Sequence, residues 1–177
     1  NKILLIALAV ALLLPAAFFI IREMMNSKVR GRRDLENLSI PYVGELPQWK
    51  ARKHDDKNTE SRFVVQQHRR DIANEAFRVV RTNLEFMTNS EKKSRIVMLT
   101  SFNPGSGKTF ITANLGASFA IKGSRVLCID LDLRRGSLSQ YVDSPRQGLT
   151  SYLGGQVEGY EKLIVHHTLN DSGSERK

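Results

Sequence analysis

Cysteine is almost absent from this chain: Cys128 stands alone among 177 residues. A single thiol cannot close an internal disulfide, so a cross-linked secreted scaffold is excluded, and a reducing compartment suits the polar part. Tryptophan occurs once, at Trp49, and proline five times. No segment repeats at a fixed period. Collagen, coiled-coil arrays and wholly disordered chains are excluded by composition. Acidic residues are scarce as well: 18 Asp and Glu face 27 Lys and Arg, a formal charge of +9. No nucleic-acid recognition motif accompanies that surplus, so no nucleic-acid partner is expected. The length allows one modest domain with appendages. Because it begins with Asn1 rather than Met, the chain is expected to start inside a longer reading frame.

Charge is missing altogether from residues 3–21, a run of 19 positions without a strongly polar side chain. As a helix this run spans about 28 Å, matching the hydrocarbon thickness of a bilayer. Pro15 lies inside it, where a membrane helix tolerates proline better than a water-exposed one. Arg22, Lys28, Arg30, Arg32 and Arg33 follow the run, against Lys2 alone before it. That asymmetry places the C-terminal side in the cytoplasm, and the same cluster can hold anionic lipid headgroups. A signal peptide would carry its basic residues first and a small-residue cleavage site after. A buried core helix rarely lacks every polar group for so long. Residues 1–25 are therefore assigned to one transmembrane helix.

Residues 26–70 are read as a juxtamembrane segment and linker, with little sustained periodicity from Gly31 to Arg70. Pro41 and Pro47 bracket an extended or turn-like piece, and residues 50–62 are nearly all polar or charged. From Asp71 a helical period begins: Ala73, Ala76, Phe77, Val80, Leu84 and Met87 share one face. Glu75, Arg78 and Arg81, with Glu85, are placed opposite. That charged face suits either intrahelical ion pairs in water or pairing with the same stripe on a neighbouring subunit.

Residues 95–101, Arg-Ile-Val-Met-Leu-Thr-Ser, are an apolar run with polar ends, as expected of a strand buried on both faces. They lead into Phe102-Asn-Pro-Gly-Ser-Gly-Lys-Thr109 and a helical segment from about Lys108 to Lys122, stopped by Gly123. A second short apolar run, 126–129, enters Asp130. Strand, glycine loop, helix and strand make one βαβ unit with parallel strands. In such a loop Gly105 and Gly107 let successive N–H groups face one anion, and the helix adds its positive end. Lys108 can then reach the β- and γ-phosphates of a nucleotide, while the Thr109 hydroxyl can join the coordination of Mg²⁺. The strict G-x-x-x-x-G-K-[ST] string fails at Phe102. Asp130 and Asp132 follow the second strand and emerge at the edge where phosphates bind, suited to ordering hydrated Mg²⁺ or accepting a proton. A helix cap with an ion pair to Arg134 or Arg135 is the simpler role for these carboxylates.

These motifs together resemble the bacterial tyrosine kinases of the polysaccharide co-polymerase type, the Wzc-like autokinases. Residues 101–109 fit that family's modified Walker A, residues 126–134 its Walker A′ with D-x-D-x-R, and Glu75-Ala-Phe-Arg78-Val-Val-Arg81 its E-x-x-R-x-x-R motif. The apolar helix and the 41–47 segment are similar to the end of its second transmembrane helix. The resemblance implies an incomplete α/β, P-loop NTPase-like domain over 71–177, a parallel sheet flanked by helices, behind a helix in the bacterial inner membrane. It implies MgATP binding by Pro104, Gly105, Ser106, Gly107, Lys108, Thr109, Phe110 and Arg134, metal coordination by Thr109, Asp130 and Asp132, and catalysis by Lys108, Asp130 and Asp132. Assembly into a homo-oligomeric ring falls to Glu75, Arg78 and Arg81. The implied activity is tyrosine autophosphorylation that regulates capsular or exopolysaccharide chain length, polymerisation and export. The implied partners are that export machinery, a cognate tyrosine phosphatase and membrane lipids.

The sequence departs from the family in lacking the Walker B string D-x-P-P and a terminal tyrosine cluster; Tyr42, Tyr141, Tyr152 and Tyr160 are scattered. The chain is expected to be a fragment cut at both ends. Two other functions stay open: a membrane-tethered partitioning-type ATPase, whose second lysine would align with Asn103, and a non-catalytic chain-length adaptor whose assembly a nucleotide controls.

Overall fold

The structure is a computed structural model that describes residues 2–25, 29, 31–35, 37–49, 63–68, 70–88, 94–142 and 144–169. The polar linker expected over 50–62, the tail 170–177 and the basic residues Lys28 and Arg30 lie outside the described residues, as do the side chains of Arg32 and Arg33. The chain divides by its contacts into two units, Asn1–Tyr42 and Val43–Lys177.

The first unit is dominated by α1, Lys2–Met24, with Pro15 inside it and no buried residue. At 23 residues it is roughly 35 Å long, enough by length and composition to cross a bilayer. A short 3-10 turn follows at Arg32–Leu35.

The second unit is built on two helices. α2, Ile72–Met87, starts where Asp71, in extended backbone, accepts a hydrogen bond from the Asn74 N–H at 2.8 Å; that is an N-cap satisfying one of the orphan donors of the first turn. α3, Lys108–Ile121, ends as the Gly123 N–H bonds the Ala120 carbonyl and the Ser124 N–H reaches back to Phe119. Gly123 takes the positive φ of 96° that this paired closure requires. Contacts climb in step along both helices, Phe77 with Phe110, Arg81 with Ser118 and Glu85 with Lys122, so α2 and α3 run parallel. Val65, Phe77, Val80, Leu115 and Ala117 form the core between them, with Val43, Leu46, Leu84 and Phe110 packed against it. A 3-10 turn at Ser137–Tyr141 and a short α4, Leu149–Leu153, complete the set used below.

The piece 63–66, which shows no period in sequence, is held by two buried asparagines. Asn114 Oδ1 accepts from the N–H groups of Val64 and Val65 at 2.7 and 3.2 Å, and its Nδ2 donates to the Phe110 carbonyl. Asn74 Nδ2 donates to the Gln66 carbonyl at 2.8 Å. An irregular segment packed on two helices has no ladder to satisfy its backbone, so side-chain amides supply the partners. Phe63 continues the segment outward, stacking on His167 and meeting the edge of Tyr141.

The expected parallel sheet is not formed among the described residues. Segments 94–101 and 125–131 carry no regular secondary structure, and no ladder hydrogen bond joins them. Ile96 is 99% exposed and Met98 79%, while Leu127 and Ile129 are also exposed. A strand exists only through its neighbours. Here α3 covers part of 125–131, close enough that a Cβ on Gly116 would sit 2.7 Å from Cys128 Sγ, and the outer residues have no cover. Cys128 is exposed overall, with its sulfur against α3. That contact desolvates the thiol and raises its pKa above the ordinary cysteine range.

Candidate nucleotide site

The loop between segment 94–101 and α3 has the local chemistry of an anion cradle. Gly105 and Gly107 adopt φ of 76° and 86°, and a Cβ at either would meet nothing within 4 Å, so the glycines serve backbone conformation rather than close packing. Gly107 precedes α3 with no side-chain cap, which leaves the first-turn N–H groups pointing into the loop. Ser101 and Ser106 each donate to the Asn103 carbonyl, at 2.8 and 2.7 Å, tying the loop to itself. Lys108 Nζ donates to Ser101 Oγ at 3.1 Å and so lies across the loop mouth. Pro104, Gly105 and Ser106 are exposed, as is Phe102 at the position that fails the strict motif.

The 130–138 segment closes on the same helix. The hydroxyls of Thr109 and Ser137 share a hydrogen bond of 2.9 Å. Asp130 Oδ2 accepts from the Leu138 N–H at 2.8 Å and Oδ1 from the Asp132 N–H at 3.0 Å. Asp132 Oδ1 accepts from the N–H groups of Arg134 and Arg135 at 3.3 and 3.2 Å. Backbone turns therefore orient both carboxylates, and Ser137 and Leu138 bring Asp130 beside Thr109. Arg134 is exposed. Phe110 turns its ring away from the loop, edge-to-face on Phe77 with centroids 5.9 Å apart.

The E-x-x-R-x-x-R residues do not share one face. Glu75 and Arg78 form an exposed ion pair of 2.9 Å, whereas Arg81 Nη1 donates to the Ser118 carbonyl at 2.7 Å and to Ser118 Oγ at 3.2 Å. Helical geometry explains the division: Arg81 is one turn beyond Phe77, about 40° around the helix, and so borders the apolar stripe rather than opposing it. Sequence reasoning also missed Ser137 and Asn114. Neither belongs to a local motif, and their partners lie 28 and about 50 residues away.

The fold and the site define a class first. Residues 97–155 match the CobQ/CobB/MinD/ParA nucleotide binding domain, and most of the two loops just described falls within that span. More particularly, the chain is 33% identical over 162 residues to the tyrosine-protein kinase etk of Escherichia coli K12, covering 82% of this chain and 22% of that protein. The tyrosine-protein kinase ptk of Acinetobacter johnsonii is 30% identical over 171 residues, 93% of this chain and 23% of its own length. The tyrosine-protein kinase wzc of Salmonella typhimurium is 28% identical over 162 residues, 86% and 22% respectively. The chain corresponds to a segment of a Wzc-like bacterial tyrosine kinase and spans under a quarter of the length of these relatives. No solved structure matches it.

Proposed function

We propose that this chain is part of a membrane-anchored protein-tyrosine autokinase using MgATP, with a role in capsular or exopolysaccharide chain length and export. The observation that carries the nucleotide site is the junction of the two loops, Thr109 to Ser137 and Asp130 to the Leu138 N–H. It brings a P-loop hydroxyl and a carboxylate to the end of α3 where a triphosphate would rest. Tyrosine as acceptor is supported by the names of the relatives, and the membrane anchor by α1.

The donor set fits Mg²⁺. Thr109, Asp130 and Asp132 present hydroxyl and carboxylate oxygens only, as a hard cation prefers. When bound, the ion would neutralise phosphate charge. Lys108 would leave Ser101 for the β- and γ-phosphate oxygens, and the Gly105–Gly107 backbone would hold them by N–H donation. In the transfer, the tyrosine oxygen forms a bond to the γ-phosphorus as the β–γ bridging bond breaks. ADP leaves with that electron pair, and an Asp130 or Asp132 carboxylate takes the hydroxyl proton.

Assembly into a ring through the exposed part of α2, contact with polysaccharide export proteins, reversal by a tyrosine phosphatase, and a bacterial inner-membrane location complete the proposal. The competing ATPase reading is weakened by Asn103, which stands where partitioning ATPases carry their second lysine. Incubation with γ-labelled ATP and product analysis separates the two. Phosphotyrosine that disappears in Lys108→Met supports the kinase; free phosphate without phosphotyrosine overturns it in favour of the ATPase.

A further inference from the structure

α3 carries the phosphate loop at its N-terminus, and its other end is held from outside. The last four carbonyls of a helix, here those of residues 118–121, have no partner within it. The closing turn at Gly123 satisfies Phe119 and Ala120, and the Lys122 N–H bonds Phe119 rather than Ser118. The Ser118 carbonyl instead receives Arg81 Nη1 from α2 at 2.7 Å, and the same nitrogen contacts Ser118 Oγ. Arg81 Nε is buried with no hydrogen-bond partner, so the guanidinium is partly desolvated to make this contact. One turn further on, Glu85 of α2 pairs with Lys122 at 2.6 Å. A cation donating to a terminal carbonyl also meets the negative end of the helix macrodipole.

We infer that Arg81 is a positioning residue, an intramolecular C-terminal cap that ties α2 to the phosphate-loop helix α3, and that only Glu75 and Arg78 of the E-x-x-R-x-x-R motif face outward for a second subunit. The inference deepens the proposed function and rests on that reading of the nucleotide site. Because α3 begins at Lys108, a helix fixed at Ser118 and Lys122 fixes the angle at which the loop meets phosphate. α2 and α3 then move as one body, and nucleotide at the loop and a subunit on Glu75 and Arg78 are coupled through Arg81.

The test uses the whole chain in detergent, at a dilution where light scattering gives a monomer, with two readouts. The first is backbone amide exchange over 118–124 without nucleotide; the second is MgATP affinity by calorimetry. Arg81→Ala should speed exchange in that turn and weaken MgATP binding by at least about fivefold, the low end of ordinary coupling between sites. Arg81→Lys, which keeps one cationic donor, should restore most of both and guards against simple misfolding. Arg78→Ala should leave the 118–124 exchange unchanged while lowering the oligomer mass at high concentration. Thr82→Ala, whose hydroxyl bonds the Arg78 carbonyl of its own helix, should leave both readouts unchanged. Wild-type exchange in Arg81→Ala, or a variant that alters oligomer mass alone, overturns the cap. Absence of MgATP binding by the wild type would instead overturn the nucleotide site and the coupling with it, while the exchange result still decides whether Arg81 caps α3.

Discussion

Asn114 is completely buried and makes three hydrogen bonds, two of them accepting neighbouring N–H groups of the 63–65 segment. Replacing it with Ala orphans two buried donors, each costing on the order of 1–3 kcal/mol. Asn114→Ala should therefore lower unfolding stability by about 2–4 kcal/mol in urea titration followed by circular dichroism. Cys128 makes a different prediction. Its folded pKa is raised, so the folded chain keeps a proton that the unfolded chain releases first. Stability is thus intact below the ordinary thiol pKa and falls as pH rises through the window up to the folded value. Cys128→Ser should lack that alkaline decline, seen by comparing melting temperatures across the same pH range. These two roles differ in how far the sequence reveals them. Lys108, Thr109 and the two glycines announce themselves because their spacing is local and their chemistry specific. Asn114 does not, since its partners are backbone groups that any residue carries.

At the scale of elements, the helices follow from the sequence while the sheet does not. α2 has an apolar stripe, an acidic N-cap and a hydroxyl closure at Thr88, all encoded within one span. α3 has a glycine at each end. Segments 94–101 and 125–131 have equally suggestive apolar runs, but strands need partners elsewhere in the chain, and a run of apolar residues says nothing about whether these are present. Arg81 leaves the polar face for a related reason: an arginine one turn from Phe77 can lay its stem along the stripe and extend its head to a carbonyl. The contact of α3 with segment 125–131 gives an element-scale prediction. Gly116→Ala puts a Cβ 2.7 Å from Cys128 Sγ and should cost about 1–3 kcal/mol through overpacking. Cys128→Ala in the same chain should recover most of it, and a double-mutant cycle in chemical denaturation measures the coupling. The Glu85–Lys122 pair is partly exposed, so Lys122→Ala should cost no more than about 1 kcal/mol.

For the whole molecule, the two contact units are built differently. α1 carries apolar surface over its whole length, whereas the second unit is organised around one phosphate-loop helix. If α1 anchors the chain, removing residues 1–25 should shift the protein from the vesicle pellet to the supernatant in a co-sedimentation assay; unchanged pelleting would remove α1 from that role. Most of the site lies within 101–138, and the motif made that part legible. The joining of its halves through Ser137 and Leu138 became visible only when the chain folded. The central claim is that this loop pair binds the triphosphate of MgATP through Lys108, and equilibrium binding measures it most directly. Calorimetric titration of the whole chain in detergent should give saturable MgATP binding that falls by at least about tenfold, or roughly 1.4 kcal/mol, in Lys108→Met. Equal binding by the two proteins would contradict the account.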